Sequence, residues 1–167
     1  MVHVDAAALG QWFGAYAARL ELYARQWLAP MEAADAVQEV FLRLAAQKSQ
    51  PQDVAAWLFA ALRNRAISQA RSTARRRNRE QRVAGQKDEW FAEDPATAID
   101  AATARRLLSE LPAEQREVVL LKIWGGLSFR QIVEIVDRPL TSIRREYLAA
   151  LDVMRERMGE SCPKKMD

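Results

Sequence analysis

The chain has 167 residues, of which 50% are hydrophobic and 28% charged, and its formal net charge is +3. These values exclude disorder of the whole chain, and the length suits one ordinary domain or two small helical ones. One cysteine (Cys162) and one histidine (His3) exclude an internal disulfide, a cysteine-based metal cluster and most histidine-based catalysis, so no catalytic residue, metal or cofactor is expected. The sequence shows no signal peptide and no membrane-spanning run, which predicts a soluble protein of a reducing compartment, the cytoplasm, without membrane insertion.

Apolar residues recur at helical spacing through the N-terminal half. A first amphipathic helix runs from about Leu9 to Trp27 and ends before Pro30. The apolar stripe of a second helix consists of Val37, Val40, Phe41 and Leu44. Opposite that stripe, a polar face is formed by Asp35, Gln38, Glu39 and Arg43. A solvated helix face is the favoured interpretation of this pattern alone, and a protein-docking surface is the alternative.

A third helix follows the loop 48–53, with Asp53 as a plausible N-cap. It begins with apolar residues and becomes arginine-rich after Asn64. Between Arg63 and Arg82 there are eight arginines and one acid, Glu80. Arginine makes bidentate contacts with phosphate, so the run favours binding of nucleic acid over the alternative, a solvated or partner-facing helix end.

Two aromatic residues, Trp57 and Phe59, precede this basic stretch on the same helix. Most aromatic residues of the N-terminal half have the spacing of core residues. An aromatic side chain beside a basic groove can also hold an unstacked base, and spacing does not separate that role from packing.

A segment at about 83–96, with Gly85, Pro95 and five acids between residues 83 and 100, interrupts the helical pattern and predicts a domain boundary. Beyond it, Thr97 and Asp100 have the spacing of a capping box for a fourth helix, and Pro112 opens a fifth that runs to about Trp124. No alternation of period two is sustained, so an all-α protein is predicted.

The segment from Ser128 to Met158 has the pattern of a helix-turn-helix. Ser128 and Gln131 predict a capping box for a helix over 129–136, and the turn Asp137–Pro139 leads into a long helix. The predicted apolar face of that helix consists of Ile143, Tyr147, Leu148, Leu151, Met154 and Met158. Thr141, Ser142, Arg144 and Arg145 would then face outward, where they could contact phosphates or base edges. An ordinary helical hairpin is the alternative.

These features occur together, in this order, in one family. The chain resembles a bacterial sigma factor of the extracytoplasmic-function group, part of the sigma-70 family. The resemblance covers about residues 10–158 and rests on the following motifs: Ala34-Asp-Ala-Val-Gln-Glu-Val-Phe-Leu-Arg-Leu44, Ala56-Trp-Leu-Phe-Ala-Ala-Leu-Arg-Asn-Arg-Ala-Ile67, Leu111-Pro-Ala-Glu-Gln-Arg-Glu-Val-Val-Leu-Leu121, Gly126-Leu-Ser-Phe-Arg-Gln-Ile132 and Ala149-Ala-Leu151.

The resemblance implies three binding surfaces. The residues implied to bind the clamp helices of core RNA polymerase are Asp35, Gln38, Glu39 and Arg43. Those implied to bind the −10 promoter element, as a melted single strand, are Lys48, Ser49, Gln50, Gln52, Asp53, Trp57, Arg63, Asn64, Arg65, Arg71, Arg75 and Arg76. Those implied to bind the duplex −35 element are Arg130, Thr141, Ser142, Arg144 and Arg145.

The implied domains are a region 2 domain over residues 5–82, a linker over 83–96, a region 4 domain with the helix-turn-helix over 97–159, and a tail over 160–167. The resemblance also implies contact with the polymerase flap, passage of the linker through the polymerase, and an anti-sigma factor as a candidate partner.

Three residues depart from the family pattern. Gln131 begins a Gln-Ile-Val triplet where Glu-Ile-Ala is usual, and Asp137 occupies a turn position that commonly holds glycine. Glu146 stands on the DNA-facing helix where arginine is common. An acid there would repel phosphate unless it accepts a hydrogen bond from cytosine or pairs with a neighbouring arginine such as Arg145.

The sequence therefore predicts an all-α, two-domain transcription initiation factor without catalytic chemistry, which directs core polymerase to promoters and stabilises the melted −10 strand. The alternative is a stand-alone helix-turn-helix regulator that binds duplex DNA without polymerase, which leaves the Asp35/Gln38/Glu39 face unexplained. A small helical hydrolase is the third class, and the sequence offers it neither an acid–base constellation nor a phosphate-binding glycine loop.

Overall fold

A computed structural model describes residues 4–80 and 99–161 of the chain. All the regular secondary structure within these ranges is helical, which confirms the predicted all-α class. The helices are α1 (Ala6–Ala24), α2 (Pro30–Ala45), α3 (Val54–Glu80), α4 (Ile99–Glu110), α5 (Ala113–Val119), α6 (Phe129–Val136) and α7 (Leu140–Ser161), and a π-helical turn (Leu120–Trp124) continues α5. The predicted linker 83–96 and the proposed cap Thr97 lie outside the described residues.

Helices α1, α2 and α3 pack around one core because each buries one apolar stripe. The predicted stripe of α2 is buried along its whole length, and Leu20, Leu58 and Leu62 of the neighbouring helices are fully buried against it. The Oδ1 atom of Asp53 accepts a hydrogen bond from the backbone N–H of Ala56 at 2.8 Å, which confirms the predicted N-cap of α3.

The end of α4 and the start of α5 are joined by Arg116. Its guanidinium donates to the carbonyl oxygens of Leu108 and Leu111, both at 2.9 Å, and so satisfies acceptors that a helix C-terminus leaves unpaired. The fifth helix reaches Trp124 as predicted, but its last turn is π-helical, and the N–H of Gly125 donates to the carbonyl oxygen of Leu120. A Cβ atom at Gly125 would lie 2.5 Å from the carbonyl oxygen of Leu121, so this close approach requires glycine.

Both predicted turn devices of the helix-turn-helix are present. The N–H of Ser128 donates to Oε1 of Gln131 at 2.7 Å, and the N–H of Gln131 donates to Oγ of Ser128 at 3.2 Å, which confirms the capping box of α6. Asp137 ends α6 with φ 53° and ψ 49°, the left-handed conformation that explains the family's preference for glycine there.

The predicted apolar face of α7 is wrong at two positions. Leu148 is 60% exposed and Met158 is 56% exposed, whereas Ile143 and Ala150 are buried. At 100° per residue Leu148 points about 140° away from Ile143, on the opposite side of the helix. Met158 lies near the C-terminal end of α7, beyond the buried residues of that helix.

The two halves of the chain contact one another. Helix α3 packs against α6, and α1 packs against the π-helical turn. The buried apolar residues of both halves form one continuous cluster. Across the ranges 4–80 and 99–161, no helix is both long enough and apolar enough to span a bilayer.

Candidate nucleic-acid interface

The predicted polymerase-binding residues share one polar face of α2. Asp35, Gln38 and Arg43 are exposed, and Glu39 is partly buried. The carboxylate of Glu39 accepts from Nη2 of Arg43 at 2.7 Å and from Nε of Arg65 on α3. The hydrogen bond from Arg65 lowers the pKa of the Glu39 carboxyl. Glu39 therefore connects the predicted polymerase face to the predicted −10 surface.

The same side of α2 carries an apolar residue that the sequence analysis missed. Leu42 is 71% exposed and lies between the polar residues Glu39 and Arg43. The sequence analysis did not consider Leu42 because it follows the core residue Phe41. Neighbouring residues of a helix point about 100° apart, so Leu42 is exposed although Phe41 is buried. A single exposed leucine is common on protein surfaces, so Leu42 adds an apolar group to this face without assigning it a partner.

The loop before α3 exposes the polar side chains that were predicted to contact the −10 element. Lys48, Ser49, Gln50, Gln52 and Asp53 are all exposed. In the first turns of α3, Trp57 is partly buried and packs against the core.

Phe59 is buried completely, with its ring edge-to-face on Tyr23 at a centroid distance of 5.4 Å. The interpretation of Phe59 as an aromatic that holds a base is therefore wrong, because the ring belongs to the core.

The arginine-rich part of α3 has an open depression along its own surface, here called the α3 groove, and all of its lining residues belong to α3. It begins at Arg63 and is lined by Asn64, Ile67, Ser68, Arg71 and Arg75. Asn64, Arg71, Arg75 and Arg76 are exposed, whereas Arg63 and Arg65 are partly buried. The groove combines amide and guanidinium donors with a small apolar surface, a combination that suits contact with a sugar–phosphate backbone and with base edges.

One carboxylate joins the two halves of the chain. Glu117 on α5 is 7% exposed and accepts from the hydroxyl of Tyr23 at 2.9 Å and from Nε of Arg63 at 2.7 Å. Burial, reinforced by the charge of Glu117, raises the pKa of Tyr23 well above its usual value. Burial alone would lower the pKa of Arg63, but the hydrogen bond and charge of Glu117 outweigh burial and the pKa is raised.

The sequence analysis missed Glu117 as a functional residue. The available signal was its spacing, because Glu117 lies three and four residues before Leu120 and Leu121, which are both buried. A charged residue on the same helix face as core residues is expected to be buried, and a buried charge needs a polar partner. A second contact between the halves is the hydrogen bond from Nε2 of Gln131 on α6 to Oδ2 of Asp53.

The residues predicted to bind the −35 element lie on two helices of the helix-turn-helix. Thr141, Arg144 and Arg145 on α7 and Arg130 on α6 are exposed, and Ser142 is partly buried. The guanidinium of Arg144 lies 5.7 Å from the ring centroid of Phe129, a cation–π contact.

Glu146 pairs with an arginine other than the neighbour proposed from sequence. Its Oε2 atom accepts from Nη1 of Arg138 at 2.6 Å, and the two side chains are 18% and 22% exposed. Arg145 is not the partner, because it precedes Glu146 directly and projects about 100° away around the helix. Nη2 of Arg138 also lies 4.0 Å from Oε2 of Glu117, so Arg138 connects α7 with the contact between the two halves.

The side chains that the structure describes include no group of histidine, cysteine, aspartate and glutamate able to hold a metal ion. The arrangement is thus a set of exposed polar and basic surfaces on two connected helical units.

Two family models match the chain in separate segments. The model of sigma-70 region 2 matches residues 12–76, and the model of sigma-70 region 4 matches residues 102–152. No curated protein sequence matches the chain at a significant level.

Among solved structures, the fold resembles the sigma factor RpoE in its complex with the anti-sigma factor NepR from Bartonella quintana. The TM-score is 0.66 and the identity 22%, over 88% of this chain and 94% of that one. The structure of CnrH in complex with the cytosolic domain of CnrY is also similar, with a TM-score of 0.60 and 17% identity over 95% of this chain and 92% of that one.

The helical units and their exposed basic surfaces define a nucleic-acid-binding protein with a helix-turn-helix. The chain belongs to the sigma-70 family, whose regions 2 and 4 it contains. Members of this family are transcription initiation factors without enzymatic activity, and their regions 2 and 4 bind core RNA polymerase and promoter DNA.

Proposed function

We propose that this protein directs core RNA polymerase to specific promoters and stabilises the melted −10 strand. The residues that bind polymerase, the −10 element and the −35 element are those assigned from the sequence. The α2 polar face binds the clamp helices, the loop 48–53 and the α3 groove bind the −10 strand, and the start of α7 binds the −35 duplex. The observation that carries this proposal is the α3 groove, where exposed Asn64 lies among arginines on the helix that follows the polar loop.

The groove offers a melted strand contacts to both its phosphates and its bases. Moving a base out of the helical stack costs a few kcal/mol of free energy, and contacts between the protein and the flipped base offset that cost. Arg71 and Arg75 can neutralise phosphates of the strand, while the amide of Asn64 can both donate to and accept from a base edge. A surface of arginines alone would hold the backbone without selecting a sequence.

The direct test is transcription in vitro with the purified protein and core polymerase. We expect promoter-specific transcripts from fragments selected by the reconstituted holoenzyme. A chain that retains no core polymerase in a pull-down would contradict the proposal. Tight binding of duplex operators by the chain alone, without polymerase, would favour the stand-alone regulator.

Two variants separate the surfaces. Asn64→Ala is expected to change selectivity at the −10 element while core binding is retained, and Asp35→Ala with Gln38→Ala is expected to do the reverse. All three side chains are exposed, so the fold should tolerate their loss. Equal loss in both assays for either variant would mean that the two surfaces are assigned wrongly.

An anti-sigma factor is a further proposed partner, since the two similar structures are complexes of RpoE with the anti-sigma factor NepR and of CnrH with the cytosolic domain of CnrY. The proposed site of action is the cytoplasm, where polymerase and promoters meet. Co-purification with the tagged chain from its native cell tests for the partner, and cell fractionation tests the location.

A further inference from the structure

We propose that Phe129 is a positioning residue for promoter recognition, whose ring holds the guanidinium of Arg144 in one place on the outward face of α7. The inference rests on the proposed function, because it takes Arg144 as a ligand of the −35 duplex. It adds to that surface a residue of α6 that is not among the residues assigned from the sequence.

The ring of Phe129 is held by its own helix and by α7. Phe129 is the first residue of α6, directly after the N-cap Ser128, and its partly buried ring packs against the core. The ring of Tyr147 meets it edge-to-face, with 5.5 Å between the centroids and 74° between the ring planes. The guanidinium carbon of Arg144 lies 5.7 Å from the centroid of Phe129. Arg144 and Tyr147 are neighbours on the surface of α7, because side chains three residues apart in a helix lie side by side.

This contact restrains Arg144 without occupying its hydrogen-bond donors. A cation is attracted to the face of an aromatic ring by the quadrupole of the ring, whereas a carboxylate takes up N–H groups of the guanidinium. Arg138 shows the second case, because its Nη1 donates to Oε2 of Glu146 at 2.6 Å. Arg144 is exposed, and within residues 4–80 and 99–161 its side chain has no carboxylate partner. Its N–H groups therefore stay available for a phosphate or a base edge.

A second cation on the same ring has a support of its own. Nζ of Lys122 lies 4.7 Å from the centroid of Phe129 and donates to the carbonyl oxygen of Leu127 at 3.1 Å. In the part of the chain that the structure describes, no hydrogen bond supports the side chain of Arg144. Loss of the ring should therefore release Arg144 more than it releases Lys122.

The expected effect of the ring on DNA affinity is a few-fold. An arginine side chain that moves freely in the unbound protein loses rotamer freedom when DNA binds it, and a side chain that is already restrained loses less. Cation–π contacts at exposed sites are weak, so loss of the ring should raise the dissociation constant about threefold. Loss of the arginine removes the DNA contact itself and should raise the dissociation constant about tenfold.

The test is a double-mutant cycle in the holoenzyme, with Phe129→Leu, Arg144→Ala and the two substitutions together. Leucine keeps an apolar side chain at this position but has no aromatic ring. Each full-length variant is reconstituted with core polymerase, and its dissociation constant is measured on a labelled duplex promoter fragment selected by the wild-type holoenzyme. We expect Phe129→Leu to weaken binding about threefold when Arg144 is present and to have no effect in the Arg144→Ala background.

Two further variants separate the cation–π contact from packing. Phe129→Tyr keeps an aromatic ring and should bind the promoter as tightly as the wild type. Phe13→Leu is the matched control, because Phe13 is an exposed phenylalanine whose ring meets Phe41 edge-to-face at 4.9 Å. It makes the same exchange on α1, outside the proposed −35 surface, and should leave the dissociation constant unchanged. Circular dichroism checks the helical content of every variant, and Phe129→Met replaces Phe129→Leu if the latter does not fold.

The cycle distinguishes positioning of Arg144 from a purely structural role of Phe129. If the ring only stabilised the fold, Phe129→Leu would weaken binding by the same factor with and without Arg144, and that result would overturn the inference. An unchanged dissociation constant for Phe129→Leu alone would overturn it as well. Both results presuppose a wild-type holoenzyme that binds its promoter. A wild-type holoenzyme that selects no promoter would instead contradict the proposed function, so the two failures are distinguishable.

Discussion

The pairing of Arg138 with Glu146 leads to a quantitative prediction about the stability of α7. Glu146→Ala is expected to destabilise the protein, because it removes the acceptor that Nη1 of Arg138 contacts at 2.6 Å. The arginine then keeps only the more distant carboxylate of Glu117, 4.0 Å from Nη2. The substitution also frees the start of α7 from the turn that precedes it.

The size of the effect follows from burial. An exposed ion pair contributes about 0–1 kcal/mol, whereas removal of one partner from a buried pair costs about 3–5 kcal/mol. The side chains of Arg138 and Glu146 are 22% and 18% exposed, so solvent still reaches the pair and its contribution lies between these limits. We expect a loss of about 1.5 kcal/mol, or a fall in Tm of about 3–6 °C for a chain of this size.

Thermal and urea denaturation of the single and double variants test the prediction as a double-mutant cycle with Arg138→Ala. The coupling energy between the two positions is expected to be about 1 kcal/mol. Glu156→Ala, at an exposed position of the same helix, is the control and should change stability by less than about 0.5 kcal/mol.

A coupling energy below about 0.3 kcal/mol would refute the structural role of the pair. DNA binding supplies a second criterion. If Glu146 faced the phosphates, Glu146→Gln would strengthen duplex binding by removing repulsion. Because Arg138 occupies the carboxylate, we expect no such gain in affinity.

Two further predictions concern the core and the effect of acid. Phe59→Ala should lower the free energy of unfolding by about 3–5 kcal/mol in urea denaturation, since the ring is fully buried, and a loss as small as that of an exposed residue would restore the base-binding interpretation. The lowered pKa of Glu39 stabilises the fold above the carboxyl's ordinary value of 4.5, and this contribution is lost as the pH falls below 4.5. Glu39→Gln should therefore flatten the acid side of the stability profile, and parallel profiles for variant and wild type would contradict the role of Arg65.

Local features of the fold were predicted from the sequence because their causes are local. The N-cap Asp53, the capping box of Ser128 and Gln131 and the left-handed turn at Asp137 each depend on residues within a few positions of one another. The buried stripe of α2 was also predicted, because a single strong period determines it. The choice between burial and exposure failed at Leu148 and stayed open at Phe59, since the limits of a buried stripe depend on the neighbouring helices.

Long-range polar contacts could not be predicted from spacing. Tyr23 and Glu117 are 94 positions apart in the chain, and Gln131 lies 78 positions from Asp53. No local pattern encodes which carboxylate meets which guanidinium across such a distance. The −10, −35 and polymerase-binding roles of individual residues stay predictions, because the fold establishes their exposure and grouping and leaves their ligands to experiment.

Not every arginine of α3 is available to bind DNA, because some are paired with carboxylates of the same chain. Arg63 and Arg65 were both predicted to hold DNA phosphates, yet each already binds a carboxylate of this chain, Glu117 and Glu39 respectively. Arg71 and Arg75, further along the groove, are exposed. The salt dependence of DNA binding grows with the number of phosphates that arginines and lysines neutralise, and an arginine that stays bound to a carboxylate of the protein does not add to that number. DNA binding should accordingly depend on the exposed Arg71 and Arg75 before Arg63, whose guanidinium donates to Glu117 at 2.7 Å.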